Sequence, residues 1–172
     1  MRLINVLIIS TLSIWLSGCG IAQSVSEGVV DLSNSVFSWN VRTLHLDITA
    51  RAELNVDDEG HSSPVVIRIY QLKEADTFNS ISYQDLVDQD NDALKESLLE
   101  SKEVVLKPDT AISIDVPFDK KAEVAAIVAL YKEPDLKENS WRLILTRSDL
   151  NISTPREIVA NKYSIKLMDE NK

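Results

Sequence analysis

The chain is poor in the residues that most often carry chemistry: among 172 residues there is one cysteine and there are two histidines. A single thiol, Cys19, cannot close an internal disulfide, so the fold has to be held by its apolar core. His45 and His61, without companion thiols, are too few for a metal cluster, and no metal or cofactor is expected. Serines are plentiful, yet none sits in a nucleophile elbow or other catalytic sequence, so no catalytic residue is assigned and no enzyme is expected. A membrane-spanning run is missing too. The apolar segment from Leu3 to Leu16 is broken by Asn5, Ser10, Thr11 and Ser13 and falls short of the roughly 20 residues a helix needs to cross a bilayer. Positive charge is scarce, with 18 Lys and Arg against 27 Asp and Glu and a net charge of −9. Such a chain is a poor match for nucleic acid, and a protein partner fits better.

What is present begins with Met1-Arg2, followed by the apolar segment and by Leu16-Ser17-Gly18-Cys19-Gly20. Charge, apolar stretch and small residues in that order describe a signal peptide. The last residues resemble the lipobox of bacterial lipoproteins, and that resemblance implies lipidation of Cys19, cleavage before it and acylation of the new amino terminus. The competing readings are a secretory signal with an incidental cysteine and a short uncleaved anchor. More than one acyl chain makes attachment stable, since each buried methylene contributes about 0.8 kcal/mol. Gly20, where an Asp would favour retention in the inner membrane, points to the outer membrane. The expected organisation is a signal peptide over 1–18, the lipidated Cys19 and a tether over 19–40, and one domain over 41–172. Loss of Arg2 with the signal makes the remaining chain more acidic still. In the tether, Val25, Val29, Leu32 and Val36 recur at helical spacing, so it is either partly helical or a disordered linker.

From Leu44 the period changes to two. Leu44, Leu46, Ile48, Ala50, Ala52, Leu54 and Val56 alternate with polar residues, which predicts a half-buried strand. The polar stretch Asp57-Asp58-Glu59-Gly60-His61-Ser62-Ser63 then forms a protruding turn, and Pro64 introduces a second strand, VVIRIYQL. A helical insertion is expected over 74–100, with Ser82-Tyr83-Gln84-Asp85 as a capping box and Asp92 capping a further helix that carries Leu94 and Leu98. KEVVLK, TAISIDV, VAAIVALY, WRLILTR and KYSIKLM read as strands, the third of these apolar on both faces as a central strand would be. Seven or so strands with polar connections predict an all-β protein, an antiparallel two-sheet β-sandwich with a small helical insertion. Tyr70, Tyr131 and Trp141 are its expected core or rim aromatics. Asp88, Asp90 and Asp92 resemble the start of a calcium loop, but Ala93 stands where Gly is needed and Leu99 where a bidentate Glu is needed, so a solvated helix boundary is the better account.

Several of these segments together resemble one family, the outer-membrane lipoprotein of the type VI secretion system, called TssJ or SciN. The segments are the lipobox, LHLDITARAELN, SPVVIRIYQL, FNSISYQDLVDQD, LLESKEVVLKP and VAAIVALYKEPDLKENSWRLIL; one departure is Lys132, where Arg is common. The resemblance implies a transthyretin-like sandwich and a structural role. The lipoprotein would hold the secretion membrane complex to the outer membrane, in multiple copies, by binding the periplasmic C-terminal region of the inner-membrane protein TssM. It also implies that the loop between the first two strands, here Asp57, Asp58, Glu59, Gly60, His61, Ser62 and Ser63, contributes to that binding. The alternative is a periplasmic ligand-binding lipoprotein, which would require an apolar pocket with converging polar groups.

Overall fold

The computed structural model describes residues 41–168, so the expected signal peptide, Cys19 and the tether lie outside the described residues. Eight strands form two four-stranded sheets: β1 (Thr43–Ala50), β2 (Val65–Leu72), β3 (Leu98–Leu106), β4 (Ala111–Pro117), β5 (Val124–Leu130), β6 (Arg142–Thr146), β7 (Arg156–Ala160) and β8 (Ile165–Leu167). One sheet runs β4-β1-β7-β8 and the other β3-β2-β5-β6. Helices α1 (Asp76–Ser80) and α2 (Tyr83–Leu94) are inserted between β2 and β3. Every pairing is antiparallel except β1 with β7. That exception follows from the crossing between sheets. β6 ends at the end of the sandwich where β1 starts, so the strand that follows it into the first sheet runs beside β1 in the same direction.

Alternation works as read in β1, where Leu44, Leu46, Ile48 and Ala50 are buried and their neighbours are not. The strand nevertheless stops at Ala50, six residues before the apolar alternation does. The last ladder bonds are donated by Ala50 N to Thr110 O and by Arg51 N to Ala160 O. Beyond them Ala52 is exposed and Leu54, Asn55 and Val56 are buried in succession, which no strand with one wet face can do. His45, expected on the polar face, pairs with Asp115 directly across on β4. The strand β7 was not anticipated, although Ile158 and Ala160 are its buried positions.

β5 is buried on both faces, and the reason is visible on its neighbour β2. Val65, Ile67 and Ile69 face the inter-sheet core, while Arg68 and Tyr70 turn outward and are covered by the helices. Arg68 Nη1 donates to Leu86 O at 2.8 Å, Tyr70 Oη donates to Asp90 at 2.9 Å, and the ring of Tyr70 lies 6.4 Å from that of Phe78. Tyr83 meets Trp141 edge-on at 5.0 Å. The short helix α1 has no basic residue in its last turn; instead Arg142 of β6 donates to Phe78 O at 2.8 Å and lies 5.4 Å from the Phe78 ring centroid.

Ser82 caps α2 as its sequence indicates, its hydroxyl accepting from Asp85 N at 3.1 Å. Asp92 is not a cap: it lies inside α2, which is kinked at Gln89, and Asp88 and Asp90, expected at a solvated helix boundary, are inside the same helix. Leu98 belongs to β3 and not to a helix, because Ser97 N donates back to Leu94 O while Ser97 O accepts from Lys73 N, drawing the chain onto the end of β2.

At the end of the sandwich where the chain enters at Val41, the guanidinium of Arg147 is buried, and among the described residues no carboxylate pairs with it. It donates to the carbonyls of Val41, Asp119 and Ala122 and lies 4.6 Å from the Phe118 ring centroid. Arg147 thereby joins the first residues of the domain to the β4–β5 connection and to β6. Arg147→Met keeps the aliphatic bulk but leaves buried carbonyls unpaired, and is expected to cost about 2–3 kcal/mol of stability, read as a lower urea midpoint.

Candidate partner-binding site

The loop between β1 and β2 leaves the sandwich at the end opposite Val41, a separation of roughly 23 Å along β1 at 3.3 Å per residue. Its base is part of the core. Leu54 is fully buried and Val56 nearly so, and each foot of the loop is stitched to the other: Ser63 N donates to Leu54 O at 3.0 Å and Ser63 Oγ to Asn55 O at 2.9 Å. Asn55 takes a positive φ of 46°, the left-handed region that Asn tolerates better than most residues, and Gly60 reaches 86° with nothing near its α-carbon side. At the tip, Asp57 folds the chain around its own side chain. Its Oδ1 accepts from His61 N at 2.8 Å and Glu59 N at 3.2 Å, while Gly60 N donates to Asp57 O at 2.9 Å.

Of the residues picked out in sequence, Asp58, Glu59, Gly60, His61 and Ser62 are exposed, and Asp57 and Ser63 are half-buried. Cys19, the expected lipid site, lies outside the described residues. His61 Nδ1 stands 3.6 Å from both Asp57 Oδ1 and Glu59 Oε2, so one ligand atom from each of the three residues falls within 4.8 Å of the others. The Asp57 oxygen in that group is already engaged by two backbone amides, and the cluster serves first to hold the turn.

Sequence reasoning did not find the residues on which this loop leans. They come from the β5–β6 connection. Lys132 N donates to Asn55 Oδ1 at 2.8 Å, and Lys132 Nζ stands 3.9 Å from Asp57 Oδ2. Glu133 reaches Asp58, and the hydrogen bond and charge of that neighbour hold its carboxyl above the ordinary carboxylate range, with burial and Asp57 adding to the effect. Asp57 moves the other way: the His61 amide lowers its pKa, helped by the charges of His61 and Lys132, against the opposing effect of burial. Asn55 gave no signal, since it falls on a polar position of the alternation, and Lys132 was marked only as a departure from a familiar Arg. Further bonds close this end of the sandwich: Tyr131 Oη donates to Ser164 O at 2.7 Å and Ile165 N to Ser140 O at 2.8 Å.

A residue range covering nearly all of this domain, 42–170, matches the type VI secretion lipoprotein family, whose members include VasD, EvfM and TssJ. The chain belongs to that family. A chain in the solved structure described as "Type VI membrane complex" is 38% identical with a TM-score of 0.73, over 76% of this chain and 100% of that one. A second, in the structure described as "T6SS protein TssM C-terminal domain (869-1107) from EAEC", is 36% identical with a TM-score of 0.70 over the same shares. The lipoprotein TssJ1 from Pseudomonas aeruginosa has the same fold at 23% identity, with a TM-score of 0.65 over 77% of this chain and 98% of its own. Among curated proteins nothing matches.

The family member also has an open cavity of about 340 Å³ between the edges of β3 and β4, lined by Ile69, Gln71, Glu100, Lys102, Val116 and Pro117. Gln71 is its one buried amide, and both ends are taken: Nε2 donates to Pro117 O at 2.8 Å and Oε1 accepts from Asp119 N at 2.7 Å. The other polar residues that line it, Glu100, Ser101 and Lys102 of β3 and Asp119, are exposed or half-buried, so the one buried polar side chain of the cavity is already satisfied by the protein itself.

The opposed shifts at the loop define a titration. A carboxyl whose folded pKa lies above its unfolded value, as at Glu133, weakens the fold when ionised and strengthens it as pH falls through the folded value. A carboxyl with a lowered folded pKa, as at Asp57, contributes stability that is lost as pH falls through that value. Asp58→Asn removes the main cause at Glu133. Its titration midpoint, followed by NMR of the side-chain carboxyl carbon, should move down towards the ordinary carboxylate range; an unmoved midpoint would assign the shift to burial instead.

Proposed function

We propose that this lipoprotein is a binding and positioning component of the type VI secretion membrane complex, with no catalytic turnover. Residues 1–18 act as its signal peptide, Cys19 carries acyl chains that hold it in the outer membrane, and residues 20–40 tether the domain, which faces the periplasm. The domain binds the periplasmic C-terminal region of TssM through the loop Asp57–Ser63, in multiple copies within the assembled complex. One observation carries the assignment of the loop: it is a self-braced acidic projection at the end of the sandwich opposite Val41, where the tether joins. Membership of the secretion lipoprotein family and the likeness to chains in structures described by the membrane complex and by TssM supply the partner.

The physics suits recognition. A loop already held by its own hydrogen bonds loses little conformational freedom on docking, and Asp57, Asp58 and Glu59 favour a basic surface and speed encounter with it. Among the described residues the buried core runs from Val41 to Ile165, all of it within residues 20–172. Replacing 57–62 by Gly and Ser in that chain should weaken calorimetric binding to the TssM region at least tenfold while leaving the far-ultraviolet spectrum and the thermal midpoint close to those of the original. Unfolding of the variant, or undiminished binding, would sink the loop assignment. In cells, Cys19→Ala should leave the protein unacylated by mass spectrometry and remove it from the outer-membrane fraction; persistence in the outer membrane would refute Cys19 as its anchor.

A further inference from the structure

Asn55 is only 4% exposed, two residues before the acidic tip, and every polar atom of its side chain is used. Its Nδ2 donates to Pro64 O at 2.9 Å, which joins the two feet of the loop, and its Oδ1 accepts from Lys132 N at 2.8 Å, which joins those feet to the β5–β6 connection. Its own carbonyl accepts from Ser63 Oγ. The foot at Asn55 continues from β1 in one sheet, whereas Pro64 leads into β2 and Lys132 follows β5 in the other. One neutral side chain thus ties three backbone segments from two sheets, in a left-handed backbone conformation that few other side chains would accept.

We propose that Asn55 is the positioning residue of the recognition loop, setting its neck and registering Asp57–Ser63 against Lys132 and Glu133 so that the two segments present one acidic face to a basic partner surface. The proposal rests on the reading of the loop as the TssM-binding element. Buried as it is, Asn55 acts through the loop and does not touch the partner. The neighbourhood is consistent with that. The loop reaches the β5–β6 connection at three points, Asn55 to Lys132, Asp57 to Lys132 and Asp58 to Glu133, and of these the Asn55 contact is the only one to a backbone group. The other two join exposed or half-exposed charged side chains, which solvent screens and which hold position weakly. Without Asn55 the acids remain, but their spacing is no longer imposed.

Three variants of the 20–172 chain separate the contributions. Asn55→Gly keeps the backbone freedom and removes both side-chain bonds; Asn55→Ala removes the bonds and also strains the backbone; Asn55→Asp keeps an acceptor for Lys132 N and loses the donor to Pro64 O. Amide hydrogen exchange of the chain alone is read first. In Asn55→Gly the amides of Lys132, Glu59 and His61 should exchange at least tenfold faster while β1 and β5 amides keep their protection, and Asn55→Asp should retain part of the protection at Lys132. Affinity for the TssM region should then fall on the order of tenfold in Asn55→Gly, from the added cost of ordering the loop on docking. Unchanged exchange at those three amides would overturn the proposal, as would an affinity loss that merely follows the global unfolding midpoint. Should Asn55→Ala fail to fold, Asn55→Gly decides. Failure of the unaltered chain to bind TssM would overturn the loop's role in binding, and the exchange experiment would still decide whether Asn55 positions it.

Discussion

Burial of the two central strands of one sheet, β2 and β5, on both faces is the constraint on which the rest of this structure depends. β5, running VAAIVAL, has no wet face to offer, and β2 beside it carries Tyr70 and Leu72 on the side away from the sandwich core. A two-layer sandwich covers only one side of such a sheet. The chain answers with a third, partial layer, the helical insertion, whose Phe78, Leu86 and Leu94 are fully buried. Arg68, Tyr83 and Arg142 fasten that layer with hydrogen bonds to backbone carbonyls. The helices are therefore part of the core, and their acidic surface is a by-product of needing an outer face that water accepts.

A core braced on both sides has a consequence at the loop end. The β1–β2 loop starts from buried Leu54 and Val56 and is held by Asn55 to a connection that itself leaves β5. The rigidity of the most buried strand is passed outward to an exposed acidic tip through a few neutral hydrogen bonds. Charge then acts at the surface, where Asp58 and Glu133 oppose each other and Lys132 relieves Asp57. A basic partner surface would relieve the repulsion that the folded chain carries alone. Under the proposed reading of the loop, that relief would favour docking.

Much of this was legible in the residues. Alternation in LHLDITA, the doubly apolar VAAIVAL and the capping sequence at Ser82 each encode a local property, a periodicity or a hydrogen bond within a few residues, and each appears where the sequence puts it. The loop Asp57–Ser63 was recognisable for the same reason, since consecutive acids around a Gly resist burial wherever the chain goes. The failures are as instructive. Alternation ran on to Val56, yet β1 ends at Ala50 because its partners Thr110 and Ala160 end there. Asp92 had the chemistry of a cap and became an interior helical residue because Ser97 closes the turn at Leu94. The parallel strand β7 was missed because its direction depends on which end of the other sheet β6 leaves.

By itself, the sequence determined the acidic surface, most of the strands and the exposed turn, all of which depend on composition or on neighbours a few residues away. Tertiary structure decided where β1 stops, that β7 runs parallel to it, that the helices are core, and that Asn55, Lys132 and Glu133 belong to the loop. Asn55 and Lys132 lie 77 positions apart in the chain and 2.8 Å apart in space. Contacts of that kind are set by how two sheets stack, and no local pattern of residues encodes the stacking.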